Sequence, residues 1–369
     1  MMHEKHFVVT PTSHPVSDTD RAAMLEHPGF GSVFSDHMAT MKWTTEKGWH
    51  DGLVGPRRPF QIDPAAAVLH YGQEIFEGMK AYQTPDSGVV LFRPEENAKR
   101  FVRSAKRLAM PELPTEFFLE AIEELVRLDH EWIPTSDGAS LYLRPFLFAT
   151  EAFLGVRPSR EFTFCVLASP VGAYFSGGQK PITVWVSNDY IRAASGGTGA
   201  AKCGGNYAAG LLAQAQAYAN GCDQVVFLDA VERRWIEELG GMNVFFVTKD
   251  GKLMTPPLSG TILEGITRDS ILKLAAEQGL TVEETPYSYE QWKLDAASGV
   301  LTEAFACGTA AVIVPIGVVR DAAGDFTIGN GSAGPVTESL YQRLVNIQRG
   351  VEVDAHGWLH KIEILQPVS

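Results

Sequence analysis

The sequence predicts two mixed α/β domains of the α+β type. Three observations carry that expectation. The chain has 369 residues, too many for one core when domains run to roughly 150 residues. Hydrophobic residues make up 45% and charged residues 20%, so sizeable cores can form without metal or disulfide staples. Short β-like runs alternate irregularly with helical stretches and no fixed-period repeat is present, which argues against a barrel of eight regular βα units.

Residues 1–28 are polar and Pro-containing and read as a loose lead-in. Gly29 to Trp43 turns apolar and aromatic, a first strand region opening a smaller domain over 29–170. Val89 to Phe92 reads as a strand behind a turn at Asp86-Ser87-Gly88. A helix fits Glu95 to Met110, with Ala98, Phe101, Val102, Ala105, Leu108 and Ala109 on one face and Pro111 closing it. Thr115 can cap a second helix over Glu116 to His130. Leu141 to Phe146, ending near Pro145, and Phe162 to Ser169 read as strands. Residues 171–181, VGAYFSGGQKP, are the expected inter-domain loop, with a functional loop as the other reading, and 182–369 the larger domain. There Ile182 to Ser187, Gln224 to Asp229, Val244 to Val247 and Ala311 to Val319 read as strands, with another near Thr281. Asn206 to Asn220 is an Ala- and Leu-rich helix closed by Gly221, and Thr267 to Gln278 a further helix. Lys249-Asp250-Gly251-Lys252 resembles a hairpin turn.

Composition excludes several classes. Asp and Glu number 44 against 31 Lys and Arg, a formal charge of −13, and no basic block offsets it; nucleic acid is a poor partner. A small anion remains possible, since one or two local arginines can hold it. Cys165, Cys203, Cys222 and Cys307 include no CxxC pair, so neither a zinc site nor a disulfide framework is expected. The start lacks a signal-peptide pattern, and the uncharged stretch Ala304 to Val319 is too short for a membrane helix. A soluble protein of the reducing cytoplasm is expected, with no metal and no membrane.

Ser195 to Tyr207, SGGTGAAKCGGNY, is the most informative segment, with five glycines and one lysine ahead of a helix. A plain turn is one reading. A Walker A loop fails because Cys203 follows Lys202, and a Rossmann fingerprint fails for want of its remaining glycine. Lys202 sits among small residues where a planar ligand can come close. A lysine amine held there could form a Schiff base with a carbonyl cofactor, and desolvation would help it lose its proton.

Eight ordered blocks then identify a family. FGSVFSDHM (Phe30 to Met38), LHYGQEIFEGMKAY (Leu69 to Tyr82), FRPEENAKRFVRSAKRL (Phe92 to Leu108) and YLRP (Tyr142 to Pro145) lie in the first half. AKCGGNYAAG (Ala201 to Gly210), EELGGMNVFFV (Glu237 to Val247), PPLSGTILEGITR (Pro256 to Arg268) and GTAAVIVPIG (Gly308 to Gly317) lie in the second. Over nearly its whole length the chain resembles the branched-chain amino-acid aminotransferases, fold-type IV pyridoxal-phosphate enzymes related to D-amino-acid aminotransferase.

The resemblance implies roles. Lys202 matches the lysine that binds pyridoxal 5'-phosphate covalently and then moves the substrate's proton. Glu238 matches the carboxylate on the pyridine nitrogen, and Glu237 is expected to face elsewhere, solvent being one choice. Arg100 matches the phosphate arginine through FRPxxNxxR. Thr261 and Ile262 match amide donors to the phosphate, and Thr309 a threonine whose hydroxyl and amide meet it. Tyr207 matches the tyrosine on the cofactor's phenolic oxygen. Gly241 stands where relatives carry threonine. Phe34, Tyr71, Tyr142 and Tyr174 match the aromatic lining of an apolar substrate pocket, which Leu154 and Val156 of a second subunit complete. Thr309 and Ala310 match amides on the substrate carboxylate, and Arg144 an arginine used for the dicarboxylate. Mammalian relatives carry a redox CxxC just past Thr309; here Ala311 to Val314 replaces it. The implied activity is amino transfer from leucine, isoleucine or valine to 2-oxoglutarate by a homodimer. The nearest alternatives are a D-amino-acid aminotransferase or an aminodeoxychorismate lyase; a non-catalytic cofactor-binding protein is the alternative of another class.

Overall fold

The computed structural model describes residues 5–172 and 180–364. The chain divides into two compact units, residues 1–174 with 347–369 and residues 175–346.

The first unit begins with β1 (Phe7–Val9), α1 (Asp18–Glu26), β2 (His37–Thr44), β3 (Gly48–Pro56), α2 (Ala67–Tyr71), β4 (Glu74–Phe76), β5 (Met79–Gln83) and β6 (Val89–Phe92). It continues through α3 (Pro94–Arg107), α4 (Thr115–Leu128), β7 (Ser140–Ala149) and β8 (Glu161–Val171). The lead-in is not loose. Phe7 is buried, β1 pairs with β3 in parallel, and the amides of His6 and Phe7 both donate to Glu120 Oε1. Ser17 caps α1 by accepting from the Asp20 amide. A three-residue strand is too short to show a period, which hid it. The stretch expected to be strand from Gly29 instead turns through Gly29 and Gly31, both at positive φ, and extends only from His37.

Helix α3 buries Asn97, Ala98, Arg100, Phe101, Ser104 and Ala105, a stripe rotated from the apolar face read off the sequence. Phe101, Phe118 and Phe164 form the ring cluster beneath it, with centroids 5.4–6.1 Å apart. Thr115 is the first residue of α4 rather than its cap; Pro114 holds the cap position and makes no side-chain cap bond. Strand β7 runs on through Pro145. The proline is tolerated because it falls where β7 changes partner, from β5 (through Leu143) to β4 (from Phe146), and its carbonyl still accepts from the Glu77 amide.

The second unit comprises β9 (Ile182–Ser187), α5 (Gly204–Ala219), β10 (Gln224–Leu228), β11 (Ile236–Leu239), β12 (Asn243–Thr248), β13 (Lys252–Thr255), α6 (Ile266–Glu277), β14 (Thr281–Glu284), α7 (Tyr289–Ser298), β15 (Leu301–Gly308), β16 (Val312–Asp321), β17 (Gly324–Thr327) and α8 (Pro335–Gln348). Its sheet runs β11-β10-β9-β16-β15-β12-β13-β14, with β17 on β16. Val184, Val226, Val244, Phe246, Trp292 and Val314 fill its core. Gly221, at positive φ, follows α5 as expected, and Gly251 turns the β12–β13 hairpin.

The sequence-based boundary placed all of 182–369 in one domain, but the chain rejoins the first unit. Strand β18 (Leu359–Ile362) pairs antiparallel with β6, completing the order β1-β3-β2-β8-β7-β5-β6-β18. His360 fixes this strand, with Nδ1 2.9 Å from Glu95 Oε1 and Nε2 2.9 Å from Glu123 Oε1. Its bonds to Glu123 and Glu95 raise its pKa from 6.5 to about 9, and its bonds lower both glutamates from 4.5. A raised histidine contributes fully below its unfolded value and fades as pH rises through its folded one. The two carboxylates contribute above 4.5 and fade as acid protonates them. The melting difference between the wild type and His360→Leu is therefore expected to peak between pH 4.5 and 6.5 and to shrink towards pH 9. After discounting for solvent, about 1–2 kcal/mol is expected at the peak. A difference that is flat with pH would refute this.

No helix among the described residues is long and apolar enough to cross a membrane.

Candidate active site

Lys202 stands between the glycine-rich loop and α5, and the loop is fastened to the helix by Asn206. The Asn206 Nδ2 donates to Thr198 O at 2.9 Å and Ala201 O at 2.8 Å, while its Oδ1 accepts from Thr198 Oγ1 at 2.6 Å. Cys203, buried and extended, is the residue before the helix. This fixes the backbone on both sides of Lys202. Its Nζ donates to Tyr207 Oη at 2.8 Å, across the first turn of α5.

The loop packs on a second turn, Ser259 to Leu263. A Cβ on Gly199 would lie 2.3 Å from Thr261 O, so only glycine allows this approach of two backbones. Gly260, at φ +86°, makes the turn itself. Four groups then hold it. Arg192 Nη1 donates to Thr261 O at 2.9 Å, Glu238 Oε1 accepts from Leu263 N at 2.9 Å, Asn243 Nδ2 donates to Leu263 O at 3.1 Å, and Glu237 Oε1 accepts from Thr261 Oγ1 at 2.5 Å. The expectation that Glu237 faces elsewhere fails here, because its side chain is buried against this turn. Both consecutive carboxyls of β11 reach the turn.

Glu238 is 2% exposed and pairs with Arg192, Nη1 to Oε1 at 2.8 Å. Burial pushes its carboxyl up to about 7, against the opposing pull of the Arg192 guanidinium and the Leu263 amide. The charges of Glu237 and Lys202 also bear on it, the first raising and the second lowering. Both of its bonds take Oε1; none among the described residues takes Oε2. Gly241 lies near Tyr207, and a Cβ there would meet the ring at 3.6 Å, an ordinary contact. Gly308, at the end of β15, sits close to Met242 and Gly241, which brings the Thr309–Ala310 turn to the same end of the sheet.

The second unit thus gathers Lys202, Tyr207, Glu238, Gly241, Thr261, Ile262, Thr309 and Ala310. The first unit holds the rest. Arg100 is buried, with Nε 2.7 Å from Glu77 Oε1 and Nη2 2.8 Å from Glu77 Oε2, a fork-to-fork ion pair. Tyr142 Oη accepts from Arg144 Nη2 at 3.0 Å, and the Arg144 guanidinium lies 4.9 Å from the Phe76 ring centre. Tyr71 Oη donates to the Leu154 carbonyl. Phe34 stacks under the Arg57 guanidinium, and Leu154 and Val156 are exposed. Tyr174 lies outside the described residues.

Sequence reasoning missed Arg192, Asn206 and the burial of Glu237. A lone arginine in the uncharged run Tyr190-Ile191-Arg192-Ala193-Ala194 was a usable sign of a buried cation.

The family model for amino-transferase class IV matches residues 74–319. A probable branched-chain-amino-acid aminotransferase of Streptomyces coelicolor is 56% identical over 353 residues, 95% of this chain and 97% of its own. Among solved structures, the Escherichia coli branched-chain amino acid aminotransferase superposes with a TM-score of 0.73 at 32% identity, covering 88% of this chain and 100% of that one. The branched-chain amino acid aminotransferase of T.th., complexed with N-(5'-phosphopyridoxyl)-L-glutamate, does so with a TM-score of 0.71 at 30% identity, covering 88% and 99%. The fold is therefore the fold-type IV arrangement that the sequence resemblance implied, and the chain belongs to the branched-chain amino-acid aminotransferases of the class IV aminotransferase family.

Proposed function

We propose that this chain uses pyridoxal 5'-phosphate to move the amino group of leucine, isoleucine or valine to 2-oxoglutarate, giving the branched 2-oxo acid and glutamate. One observation carries the cofactor assignment: the Lys202 amine, oriented by Tyr207, shares its site with a buried Glu238 whose Oε2 has no partner among the described residues.

The residues fit the cofactor. A protonated ring nitrogen suits Glu238 Oε2, since a cation there would favour the carboxylate that burial disfavours. The cofactor's phenolic oxygen suits Tyr207, and its phosphate the turn at Thr261 and Ile262 together with Thr309; the family resemblance adds Arg100, held by Glu77, as a phosphate ligand. When bound, the cofactor supplies an electron sink for the bond broken at the substrate's α-carbon. Lys202 Nζ would hold the cofactor at its aldehyde carbon and, when free, would accept the proton from the substrate's α-carbon and pass it to the cofactor side rather than back. Tyr207 keeps that amine in place between the two roles. The amides of Thr309 and Ala310 hold the substrate carboxylate. Phe34, Tyr71, Tyr142 and Tyr174 exclude water from the branched side chain, and Arg144 takes the second carboxylate of the dicarboxylic partner. A second copy of the chain supplies Leu154 and Val156, whose side chains are 59% and 87% exposed in the single chain. We place this homodimer in the cytoplasm.

Half-reaction absorbance tests the reading. Leucine, isoleucine and valine are expected to bleach the bound cofactor's yellow band quickly, and 2-oxoglutarate to restore it, with alanine and D-amino acids slow. Efficient use of a D-amino acid together with failure on leucine would overturn it.

A further inference from the structure

Glu237 has no role in the chemistry above, yet it is buried, 7% exposed against 2% for Glu238. All four residues of β11 are buried. Glu237 Oε1 accepts the Thr261 hydroxyl, and Ser259 Oγ lies 2.7 Å from that same hydroxyl. Its Oε2 is buried and has no hydrogen-bond partner among the described residues. A carboxylate spreads its charge over both oxygens, so one dry, unbonded oxygen would bear the desolvation cost in full. A carboxylic acid lowers that cost to that of one unbonded neutral hydroxyl, keeping its carbonyl oxygen for Thr261 and its proton on the dry oxygen. The charged groups that bear on it are Asp229, Arg192 and the adjacent Glu238. Burial pushes the Glu237 carboxyl up, the Thr261 hydroxyl bond opposes, Asp229 adds to the rise and Arg192 opposes it.

We propose that Glu237 is a neutral positioning residue for the phosphate-binding turn, fixing the Thr261 hydroxyl, and with it the Thr261 and Ile262 amides, without setting a negative charge beside the phosphate. The proposal rests on the cofactor reading given above. An ionised carboxyl in this place would repel the phosphate dianion across a medium that screens poorly. A neutral acid gives the same hydrogen-bond acceptor without that repulsion.

The test is cofactor affinity, measured by fluorescence titration of the resolved apoenzyme with pyridoxal phosphate and, separately, with pyridoxal. Glutamine mimics the neutral acid, so Glu237→Gln is expected to bind pyridoxal phosphate within about threefold of the wild type. Glu237→Ala is expected to bind it about tenfold more weakly, the worth of one buried hydrogen bond. Pyridoxal, which lacks the phosphate, should lose less than about twofold on the same change; a general loosening of the fold would weaken both ligands alike. Thr261→Val should match Glu237→Ala, and the double variant should lose little more, because both remove one bond. If Glu237→Ala does not fold, the comparison of Glu237→Gln with Thr261→Val decides. A Glu237→Gln protein as weak as the alanine variant or weaker than Thr261→Val, equal losses for the two ligands, or fully additive losses would each overturn the proposal. Failure of the wild type to bind pyridoxal phosphate at all would instead overturn the cofactor reading.

Discussion

Lys202→Ala is expected to lower kcat by at least about 10⁴-fold with branched-chain substrates, because the proposed chemistry gives one amine both the covalent and the proton-transfer work. The loss does not come from misfolding. Lys202 is only partly buried, and the loop around it is held by Asn206 and by the packing of Gly199 on Thr261, neither of which alanine disturbs. Melting temperature should therefore move little in the apoenzyme. Lys202→Arg separates the amine's charge from its chemistry, since a guanidinium keeps a cation there but cannot give up its proton. It should be as inactive as the alanine variant. Borohydride reduction of the wild-type holoenzyme, followed by peptide mapping, gives an independent readout. A cofactor label found on another lysine, or Lys202→Ala turning over within about tenfold of the wild type, would refute the assignment.

Arg192→Leu is expected to destabilise the protein by about 3–5 kcal/mol at neutral to alkaline pH, the usual cost of breaking a buried ion pair from one side. Arg192 is 4% exposed and serves three acceptors, Glu238 Oε1, Thr261 O and Gly199 O. Leucine leaves both carbonyls without this donor and the carboxyl without its nearest cation. Glu238 already has a raised pKa, from 4.5 to about 7, so its contribution to stability is complete below 4.5 and falls away as pH rises through 7. Without Arg192 its pKa climbs further. The stability curves of wild type and variant should therefore lie closest under acid conditions, separated by the lost carbonyl bonds, and part above about pH 7. Denaturant unfolding of the apoenzyme across pH measures both. A difference below about 1 kcal/mol, or one independent of pH, would count against this account. Arg192→Lys should recover part of the loss, since a point charge can meet the carboxylate but not all three acceptors together.

The residues legible in the sequence are those whose chemistry is local. Lys202 and Tyr207 lie five positions apart around one helix start, and the glycines beside them announce a close backbone approach. Glu238 was legible only through its motif, and Glu237 was misjudged because that motif gives a role to one carboxylate of the pair. What the motif omits is that the turn at Ser259 to Leu263 meets both carboxyls. Arg192 showed only as a lone cation in an uncharged run; its role was hidden because its three acceptors come from separate points of the chain. In the fold, the long helices and apolar strands were readable, while β1 and β18 were not. Each is short, and each exists only through a partner far away in sequence, β3 for one and β6 for the other.

The late pairing of β18 has a consequence for biosynthesis. As the nascent chain leaves the ribosome, every residue of the second unit is made before β18, so that unit can close on its own while the first still lacks a strand. Until then β6, Val89 to Phe92, carries an unmatched row of backbone donors and acceptors on an apolar segment, a surface that invites pairing with another unfinished copy. Translation that stalls shortly before residue 359 would thus yield a polypeptide with its second unit complete and one sticky edge, a ready client for a chaperone.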